Sequence, residues 1–446
     1  MYFADGMTDE LITNLAKITS LRVISRTSVM RYRNAHKSVP EIARELGVDA
    51  IVEGTVLRNG GRVRITAQLI DGASDRHLWA EEYERGAQDV LTMQSDITRD
   101  IASSVNARLT AGERVALAHS RPVDPEVEDL YWKGIYHFNK TTVPDFQRAR
   151  DYFEQMLQKD PQNARGWTGI AMCNLILAAW GDTSRVPLAK AAALKDIELD
   201  DSLAEAHAEL GMLSFHFEWN VPEAERQLRR AIELNPNYYR AHSYYSIMLA
   251  QLGRSREAHE QFREARTLDP LSAFSAAVGW HVFYCAREYH ETIKVCRAAL
   301  EMEPGIASAY GGLILSFEQR GEYAKAIEQQ VLSIQPGGPD IEQRKRDADR
   351  LRHALASGGE RGYWKECLAL FLENHDPKDP NDLNEAARLY MHLGDRARAL
   401  DWLEKAYKAH DPSLIFWIVT APEFDSLHSE PRYQKIVRDM HLTLPS

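Results

Sequence analysis

One phrase recurs along most of the chain and decides how it folds. It reads FEQMLQKDP at residues 153–161, LRRAIELNP at 228–236, FREARTLDP at 262–270 and CRAALEMEP at 296–304, with a looser copy, AALKDIELDD, at 192–201. The residues that close these copies are spaced 40, 35, 34 and 34 apart; they are Pro161, Asp201, Pro236, Pro270 and Pro304. A nearly fixed period of this length predicts a stack of helix pairs, in which each pair buries its apolar face only against its neighbours.

The residue types within each copy suit such a stack. Small side chains let the two helices of a pair approach closely, large ones fill the gap to the next pair, and Pro ends the second helix. The copy that ends at Pro270 has Ala258, Phe262 and Ala265 at the signature offsets of the tetratricopeptide repeat. Residues 120–338 therefore resemble that family, with two insertions, HFNKTTVPD and AAWGDTSRVP, expected in the turns between helices.

Residues 339–446 depart from the strict period. A charged helical connector, IEQRKRDADRLRHAL, is followed by a further repeat-like pair, LNEAARLYMHLGDRARALDWLEKAYKAHDP, with Gly394 in its turn. The end of the chain, PEFDSLHSEPRYQKIVRDMHL, predicts a short helix pair whose polar outer face caps the α-solenoid.

Residues 1–115 follow different rules and predict a small α+β domain, with helices on a mixed sheet. MTDELITNLAKI at 7–18 places its apolar residues on one helical face, and LRVIS at 21–25 predicts a short strand. A second helix opens at Pro40 and closes at Gly47. The fold class is thus mainly α, with a small α+β domain before the repeats.

The strands of this domain are predicted from a hairpin signal. DAIVEGTVLR and RVRITAQLID flank Asn59-Gly60-Gly61, and HLWAEEYE predicts a third antiparallel strand. Alternation in the second strand predicts one buried face, formed by Val63, Ile65, Ala67 and Leu69. A long amphipathic helix follows, with an inner face of Val90, Met93, Ile97, Ile101 and Val105.

Four of these segments together resemble the TolB-amino-terminal-like (FlgO-related) domain: YFADGMTDELITNLAKI, LRVISRTSVMRYR, EIARELGVDAIVEGTVLRNGGRVRITAQLID and HLWAEEYERG. In bacterial signalling proteins that domain stands directly before tetratricopeptide repeats, so the resemblance covers essentially the whole chain. Such proteins differ in front of it and carry a class III adenylate cyclase, a CadC-type winged-helix domain or a serine/threonine kinase. The resemblance therefore implies an effector domain upstream.

Members of that family usually open the domain with an apolar strand that precedes YFADG, whereas this sequence starts at Met1. We therefore expect an N-terminally truncated domain that lacks its first strand. Its sheet would have an unpaired edge, which predicts self-association through the N-terminal sheet.

Charge and hydropathy argue against two classes of partner. The 54 Lys and Arg residues are outnumbered by 65 Asp and Glu residues, and a net charge of −11 disfavours a general binder of nucleic-acid phosphates. The one basic cluster is better explained as a solvated edge; it consists of Arg22, Arg26, Arg31, Arg33 and Lys37. This net charge leads us to expect no nucleic-acid partner. No apolar run approaches the ~18 residues of a membrane span, so we also expect no membrane span in this chain.

No sequence motif predicts catalysis. The chain lacks GxxxxGK[ST], HExxH and GxSxG, and no GxGxxG precedes a helix. His207 and His242 stand at the repeat position usually held by Trp, where a ring packs. We therefore expect a protein that is not an enzyme and has no catalytic residue, no cofactor and no metal site.

The most informative surface is the concave face of the repeats. In the family that the repeats resemble, the first helix of each unit lines a groove, and its register gives eleven candidates: Tyr131, Ile135, Phe138, Met172, Met212, Phe215, Arg240, Ile247, Phe274, His281 and Tyr284. The Lys and Asn pairs with which related chaperone cofactors hold a C-terminal carboxylate are missing there. The groove is thus expected to be apolar and aromatic and to take a protein or peptide segment, although a register slip of one residue would bury some of these rings in the core.

The sequence as a whole predicts a non-enzymatic protein-protein interaction or scaffold module of a bacterial signalling protein. Two alternatives stay open. The chain could be the regulatory part of an adenylate cyclase whose catalytic domain is absent here, or the sensor part of a winged-helix transcriptional regulator. We expect a cytoplasmic protein; the last alternative implies a lost upstream transmembrane helix and a periplasmic location.

Overall fold

The computed structural model describes residues 2–33, 35–59, 61–107, 109–110, 124–140, 142–179, 181–333, 341–375 and 383–444. It divides into two compact units. Unit 1 contains residues 1–213, 224–241 and 267–271, and unit 2 contains residues 214–223, 242–266 and 272–446. The domain boundaries expected near residues 115–120 and 338–339 lie outside the described residues, so they stay predictions.

The N-terminal part of unit 1 has the expected α+β character. Its elements are α1 (Tyr2–Ala16), α2 (Arg26–Val29), α3 (Val39–Leu46), β1 (Ala50–Asn59), β2 (Arg62–Asp71), β3 (His77–Gly86) and α4 (Val90–Ser104). One apolar core joins α1, β2 and α4, and its most deeply buried members include Val63, Met93 and Ile18. The helices therefore pack on the face of the sheet that the alternating pattern predicts.

The hairpin is confirmed in position and register. Asn59 pairs with Arg62 across the turn, and Gly61 has a φ of +82°, a conformation that favours glycine. Along β2 the predicted inward residues are at most 6% exposed. The helix predicted after Pro40 is α3, and it closes at Gly47 in the left-handed conformation.

Two details of this domain were wrong in the sequence prediction. Among the described residues the sheet is antiparallel, in the order β1-β2-β3, and is not mixed. LRVIS is extended but joins no sheet, because its backbone pairs with turns of the repeats. The amide of Val23 donates to Asn237 Oδ1 at 3.0 Å, and the amide of Ser25 donates to the Leu268 carbonyl at 2.8 Å. Those partners lie more than 200 residues away, where no local pattern could reveal them.

The repeats are helix pairs, as the period predicts. Their helices are α5 (Pro125–Phe138), α6 (Val143–Lys159), α7 (Ala164–Ala179), α8 (Val186–Leu199), α9 (Ala204–His216), α10 (Val221–Leu234), α11 (Tyr239–Gln251), α12 (Ser255–Leu268), α13 (Ala273–Cys285), α14 (Tyr289–Met302), α15 (Ala307–Gln319) and α16 (Tyr323–Leu332). The two predicted insertions fall between α5 and α6 and between α7 and α8.

Close packing between these helices depends on the small and large residues named by the pattern. Phe153 of α6 is fully buried, and a Cβ added at Gly134 or Gly169 would lie 2.5 Å from its ring. Ala224 and Ala258 are likewise fully buried at the starts of α10 and α12. Larger side chains at these glycines would push α5 or α7 away from α6.

The C-terminal part of unit 2 continues with helices. They are α17 (Ile341–Asn374), α18 (Leu383–His392), α19 (Arg396–Ala409), α20 (Leu414–Trp417) and α21 (Pro431–Asp439), with a 3-10 helix at Pro422–Leu427. α17 is interrupted at Gly359, where φ is +58°. The further repeat-like pair is α18 and α19, with Gly394 in its turn at a φ of +79°.

Candidate functional site

Six of the eleven groove candidates belong to unit 1. Five of them line one cavity of about 180 Å³: Tyr131, Ile135, Phe138, Met172 and Arg240. The sixth, Met212, is only 4% exposed. The register carried over from the sequence thus brings residues of α5, α7 and α11 to one place.

The opposite wall of this cavity comes from the N-terminal part of the same chain. Asp9, Glu10 and Thr13 of α1 line it together with residues 23–27. α1 approaches α5 closely because residue 6 is glycine; a Cβ there would lie 2.4 Å from the Trp132 ring. The concave face of unit 1 is therefore a cavity closed on one side by α1, whereas the sequence predicted an open groove.

The turn after α10 holds this N-terminal segment in place. The Asn237 side-chain amide donates to the carbonyls of Ala16 and Leu21, both at 2.9 Å, and its oxygen accepts the Val23 amide. The buried side-chain amide thus donates hydrogen bonds through its nitrogen and accepts one through its oxygen. One side chain therefore fixes the backbone that leaves α1.

A second contact of the same kind lies at the turn after α12. Ser28 Oγ donates to Asp269 Oδ1 at 2.6 Å and accepts the amide of Leu271 at 2.9 Å. Both side chains are fully buried. A serine hydroxyl can donate and accept at once, so this residue satisfies a carboxylate and an orphan amide together.

A buried ion-pair network crosses the cavity wall. Arg165 of α7 contacts Glu10 of α1 at 2.6 Å and Glu128 of α5 at 3.2 Å. Its guanidinium lies 3.6 Å from the centre of the Tyr131 ring, a cation–π distance. Burial raises the pKa of Glu128, although Arg165 opposes the shift. One guanidinium therefore serves two carboxylates here.

The basic cluster singled out in the sequence also turns toward α1. Arg26 lies 3.9 Å from both Asp5 and Asp9, and Arg33 contacts Asp5 at 2.5 Å. Elsewhere in the cluster, Lys37 pairs with Glu45. Burial raises the pKa of Asp9 to about 6 against the attraction of Arg26.

Sequence reasoning missed two carboxylates of α9, Glu205 and Glu209. Glu205 lines the cavity. Glu209 follows it by one helical turn, outside the cavity lining, and its charge interacts with those of Arg240 and Glu205. The repeat register selects Met212 in this helix, so it passes over both carboxylates.

Glu209 is a buried carboxylate without a hydrogen-bond partner. It is 1% exposed, and both of its carboxylate oxygens lack a partner in the structure. Burial raises its pKa to about 7; Arg240 opposes the shift and Glu205 adds to it. Arg240 itself lies 5.6 Å from the Phe138 ring and 5.9 Å from the Tyr239 ring.

In unit 2 the groove candidates meet the chain's own C-terminal segment, residues 410–428. Phe416 packs edge-on against His216 at 4.4 Å between ring centres, and Trp417 lies 6.0 Å from Tyr284. His410 stacks on Trp219 at 3.8 Å. These contacts bring residues 410–417 against α9 and α13 and against Trp219, which follows α9. The cap predicted for residues 422–442 stays a prediction.

Residues 410–428 are also held by an ion pair and a hydrogen bond of Glu423. Glu423 pairs with Arg388 at 2.9 Å and accepts a hydrogen bond from Gln319 at 2.9 Å. Burial alone would raise the pKa of Glu423, but Arg388 and His392 outweigh it and lower the pKa well below its usual range. Glu423 is therefore a buried, ionised anchor.

The remaining groove candidates are accordingly not open to a peptide in this structure. Phe215 is fully buried, Tyr284 is 1% exposed and Ile247 is 7% exposed. Burial lowers the pKa of His281 to about 3, with a contribution from His216. Phe274 is the exception at 37% exposure. Among these candidates, Tyr284 and His281 face rings of the C-terminal segment, with ring centres 6.0 and 6.2 Å apart. The use of this face as a peptide groove stays a prediction.

Within the described residues, no group of three or more His, Cys, Asp and Glu side chains is placed to hold a metal ion. Among the same residues, no helix combines the length and apolar character needed to cross a membrane. His207 and His242 pack inside their repeats, where each ring nitrogen Nδ1 meets a glutamine, Gln227 or Gln261.

Comparison with known proteins identifies the repeats. The tetratricopeptide repeat family matches residues 220–273 and 283–340. These two stretches are tetratricopeptide repeats. Human IFIT1 in a dimer with PPP-AAAA is 16% identical over 71% of this chain and 77% of its own, with a TM-score of 0.43. TTC0263, a tetratricopeptide-repeat protein of Thermus thermophilus, is 17% identical over 45% of this chain and 99% of its own, with a TM-score of 0.36.

One curated relative is also similar in sequence. It is a protein of Rhizobium meliloti (strain 1021) named "Putative adenylate cyclase 3", and it is 34% identical over 215 residues, or 47% of this chain. The match covers 37% of the relative, so the chain spans about a third of the length of the protein it resembles.

Proposed function

We propose that the chain is a non-enzymatic protein-interaction module and that the cavity of unit 1 receives a segment of a partner protein. Tetratricopeptide repeats are built for recognition, since stacked helix pairs present a continuous concave surface. The observation that carries the proposal is the convergence of Tyr131, Ile135 and Met172 on one cavity, at the positions that face the groove in the repeat register.

The cavity of unit 1 is a better candidate than the inner face of unit 2. Tyr131, Ile135, Met172 and Arg240 all remain partly exposed, so a ligand can reach them. In unit 2 the corresponding rings contact residues 410–428 of the same chain. A partner would have to displace packed aromatic side chains there, whereas in unit 1 it would enter existing space.

Site-specific photocrosslinking of the full chain in cells tests this proposal. A benzoylphenylalanine at Ile135 would lie in the cavity wall, and a matched control at Leu188 would lie on the exposed side of α8, where Leu188 is 53% exposed. The proposal expects a discrete protein adduct from position 135 and none from position 188. No adduct from position 135, or equal adducts from both, would overturn it.

A second function is favoured by the relative from Rhizobium meliloti. The chain could form the regulatory part of an adenylate cyclase and would itself make no cyclic AMP. The resemblance of residues 1–115 to the TolB-amino-terminal-like domain supports the same interpretation, since that domain follows effector domains. Its unpaired edge would then serve self-association between copies.

A chimera tests this second function. The matching stretch of the Rhizobium meliloti protein is replaced by this chain, with and without Met172→Lys in the cavity. A change of cyclic AMP output caused by the substitution supports a regulatory role. The same cyclic AMP output from the chimeras with and without the substitution argues against the regulatory role. Cyclic AMP made by this chain alone also argues against it.

A further inference from the structure

The charged side chains that line the unit 1 cavity are close to balanced. Three carboxylates stand against four cationic side chains, and one of the four, Lys17, is exposed to solvent. Glu10 contacts Arg165 at 2.6 Å. Asp9 lies 3.9 Å from Arg26. A guest with a full charge would lose its hydration here and gain little unbalanced charge in return, so the lining favours an uncharged guest.

Apolar side chains form much of the cavity wall. Ile12 and Val23 belong to the N-terminal wall, and Ile135 and Met172 belong to α5 and α7. All four are partly exposed, so an apolar guest would remove their surface from water. The side chain of Met172 is also unbranched and polarisable, a type that adapts well to an aromatic ring.

The volume of the cavity suits one aromatic ring. The cavity measures about 180 Å³. An apolar cavity of about 150 Å³ in another protein is large enough to bind benzene. A single six-membered ring with one small substituent therefore fits.

Ser25 offers a polar contact in the same wall. It is 8% exposed and lines the cavity, and its Oγ has no hydrogen-bond partner among the described residues. Ser25 directly precedes α2, yet its hydroxyl makes no capping hydrogen bond to that helix. Rotation about the Cα–Cβ bond can turn the hydroxyl toward a guest. A guest that pairs with it would satisfy a buried polar group.

Arg26, the next residue, contributes a second unpartnered atom. Its Nε is buried without a hydrogen bond among the described residues, and the Asp9 carboxylate at 3.9 Å from it is too far to accept one. This N–H can only donate, whereas the Ser25 hydroxyl can donate and accept. A phenol hydroxyl can pair with either atom, an indole N–H can only donate, and a phenyl ring can do neither. The two atoms therefore favour a guest with a hydroxyl group.

We propose that the cavity recognises the side chain of a tyrosine in the partner segment, whose ring packs against Ile135 and Met172 and whose hydroxyl meets Ser25 Oγ and Arg26 Nε. This inference rests on the proposed function, because the tyrosine would belong to the partner. It adds one specific hydroxyl contact to the apolar and aromatic anchor expected from the sequence.

Nuclear magnetic resonance of the full chain, labelled with carbon-13 at its methionine methyl groups, tests the proposal. The chain is titrated with capped peptides Ala-Ala-X-Ala-Ala, in which X is Tyr, Phe, Trp, Lys or Glu, and with free 4-methylphenol. An aromatic ring in the cavity should shift the methyl signal of Met172, which Met172→Leu assigns. The signal of Met212, which is 4% exposed and lies outside the cavity lining, should not move.

The affinities of the peptides should follow the chemistry of the lining. We expect the Tyr peptide to bind about tenfold more tightly than the Phe peptide, because only its hydroxyl satisfies the buried polar atoms. The Trp, Lys and Glu peptides should bind more weakly than the Tyr peptide. Because the guest is uncharged, raising the NaCl concentration from about 0.05 M to about 0.5 M should leave its affinity unchanged.

Two matched variants locate the hydroxyl contact. Ser25→Ala should weaken the Tyr peptide by about fivefold and leave the Phe peptide unchanged. The variant should fold, because the hydroxyl that it removes has no partner to lose. Ser74→Ala is the control, since Ser74 is exposed between β2 and β3 and lies outside the cavity lining.

The outcomes separate this inference from the proposed function. Phe or Trp binding as tightly as Tyr, an unchanged Tyr affinity in Ser25→Ala, or no shift of the Met172 signal overturns the tyrosine site. Tightest binding by the Lys or Glu peptide overturns the uncharged guest. Tighter binding of 4-methylphenol than of the Tyr peptide overturns the source of the ring in a partner segment. A crosslinked partner at Ile135 would in each case still support the interaction module.

Discussion

At the scale of a residue, Asp196 of α8 illustrates how burial changes the chemistry of one carboxyl group. Asp196 is fully buried, and Thr168 is its hydrogen-bond partner. Burial raises its pKa to about 8, against the pull of the Thr168 hydrogen bond. Thr168 Oγ1 also lies 3.2 Å from the Ala164 carbonyl. A protonated Asp196 can donate to Thr168 and leave the hydroxyl proton for that carbonyl.

This protonation predicts a stability that depends on pH. The folded-state pKa is raised above the unfolded value of 3.8, so the native state holds a proton that the unfolded state releases. Stability therefore falls as the pH rises from about 4 to about 8. Asp196→Asn should raise the free energy of unfolding by roughly 1–2 kcal/mol at pH 8 and change it little at pH 5.

Urea unfolding of the variant at both pH values checks this expectation. Glu198→Gln on the exposed face of the same helix is the control and should be neutral at either pH. A loss of stability at pH 8 would mean that Asp196 is ionised in the folded protein.

At the scale of an element, the segment 21–28, which runs into α2, depends on contacts made by distant turns. Asn237 makes two hydrogen bonds with this segment, at Leu21 and Val23. It makes a third with Ala16 of α1, and Ser28 binds at the turn after α12. The segment has no sheet to join, so these side chains take the place of a neighbouring strand. The wall of the cavity formed by residues 23–27 is therefore set by the repeats.

Replacing Asn237 by Asp should detach this segment. A carboxylate cannot donate to the carbonyls of Ala16 and Leu21, and it would bring a charge into a buried site. We expect Asn237→Asp to lower the free energy of unfolding by about 2–4 kcal/mol. Gln162→Glu is matched to it, since Gln162 follows Pro161 as Asn237 follows Pro236, but its side chain is exposed.

Hydrogen exchange of the backbone amides gives a direct measurement. Faster exchange at Val23 and Ser25 in Asn237→Asp, with no change in Gln162→Glu, is the expected result. Unchanged protection in both variants would show that the segment does not depend on this turn.

The C-terminal segment 410–428 is a second element, held by aromatic packing and by the buried pair of Glu423 with Arg388. Glu423→Gln removes the buried carboxylate from the Arg388 guanidinium, which keeps only its 2.8 Å contact with the partly exposed Glu385. The change should cost about 2 kcal/mol. Asp425→Asn in the same 3-10 helix breaks only the exposed pair with Arg287 and should cost less than about 1 kcal/mol. Chemical unfolding of both variants measures the difference, and equal costs would contradict a buried anchor.

At the scale of the whole molecule, local patterns and long-range contacts differ in how well the sequence reveals them. The 34-residue period of the later repeats, the hairpin at Asn59 and the small residues Ala224 and Ala258 are local signals, and the structure follows them. The contacts of Asn237 with Leu21 and of Trp417 with Tyr284 join residues more than 100 apart. No period encodes them, so the packing of Tyr284 against the C-terminal segment could not be predicted from the sequence.

In the candidate site, too, the sequence reveals the positions set by the local repeat pattern and does not reveal the long-range contacts. The repeat register located Ile135 and Met172 in the cavity, but in α9 it selects Met212 and so passes over Glu205, which lines the cavity. The second wall, with Asp9 and Glu10, could not be predicted because α1 reaches it only in the folded chain. The full set of charged residues that line the cavity is therefore visible only in the folded chain.

The claim at the centre of this account is that the partly exposed groove candidates of the unit 1 cavity, such as Ile135 and Met172, are accessible, whereas Met212 is buried. Met172→Cys and Met212→Cys test it as a matched pair, since both are groove candidates of the same residue type and only the second is buried. The rate of maleimide labelling is measured for each, with the four native cysteines of the unmodified chain as the background. We expect labelling at position 172 to be at least about tenfold faster than at position 212. Equal rates would contradict the account, because the groove would then be either open throughout or closed throughout.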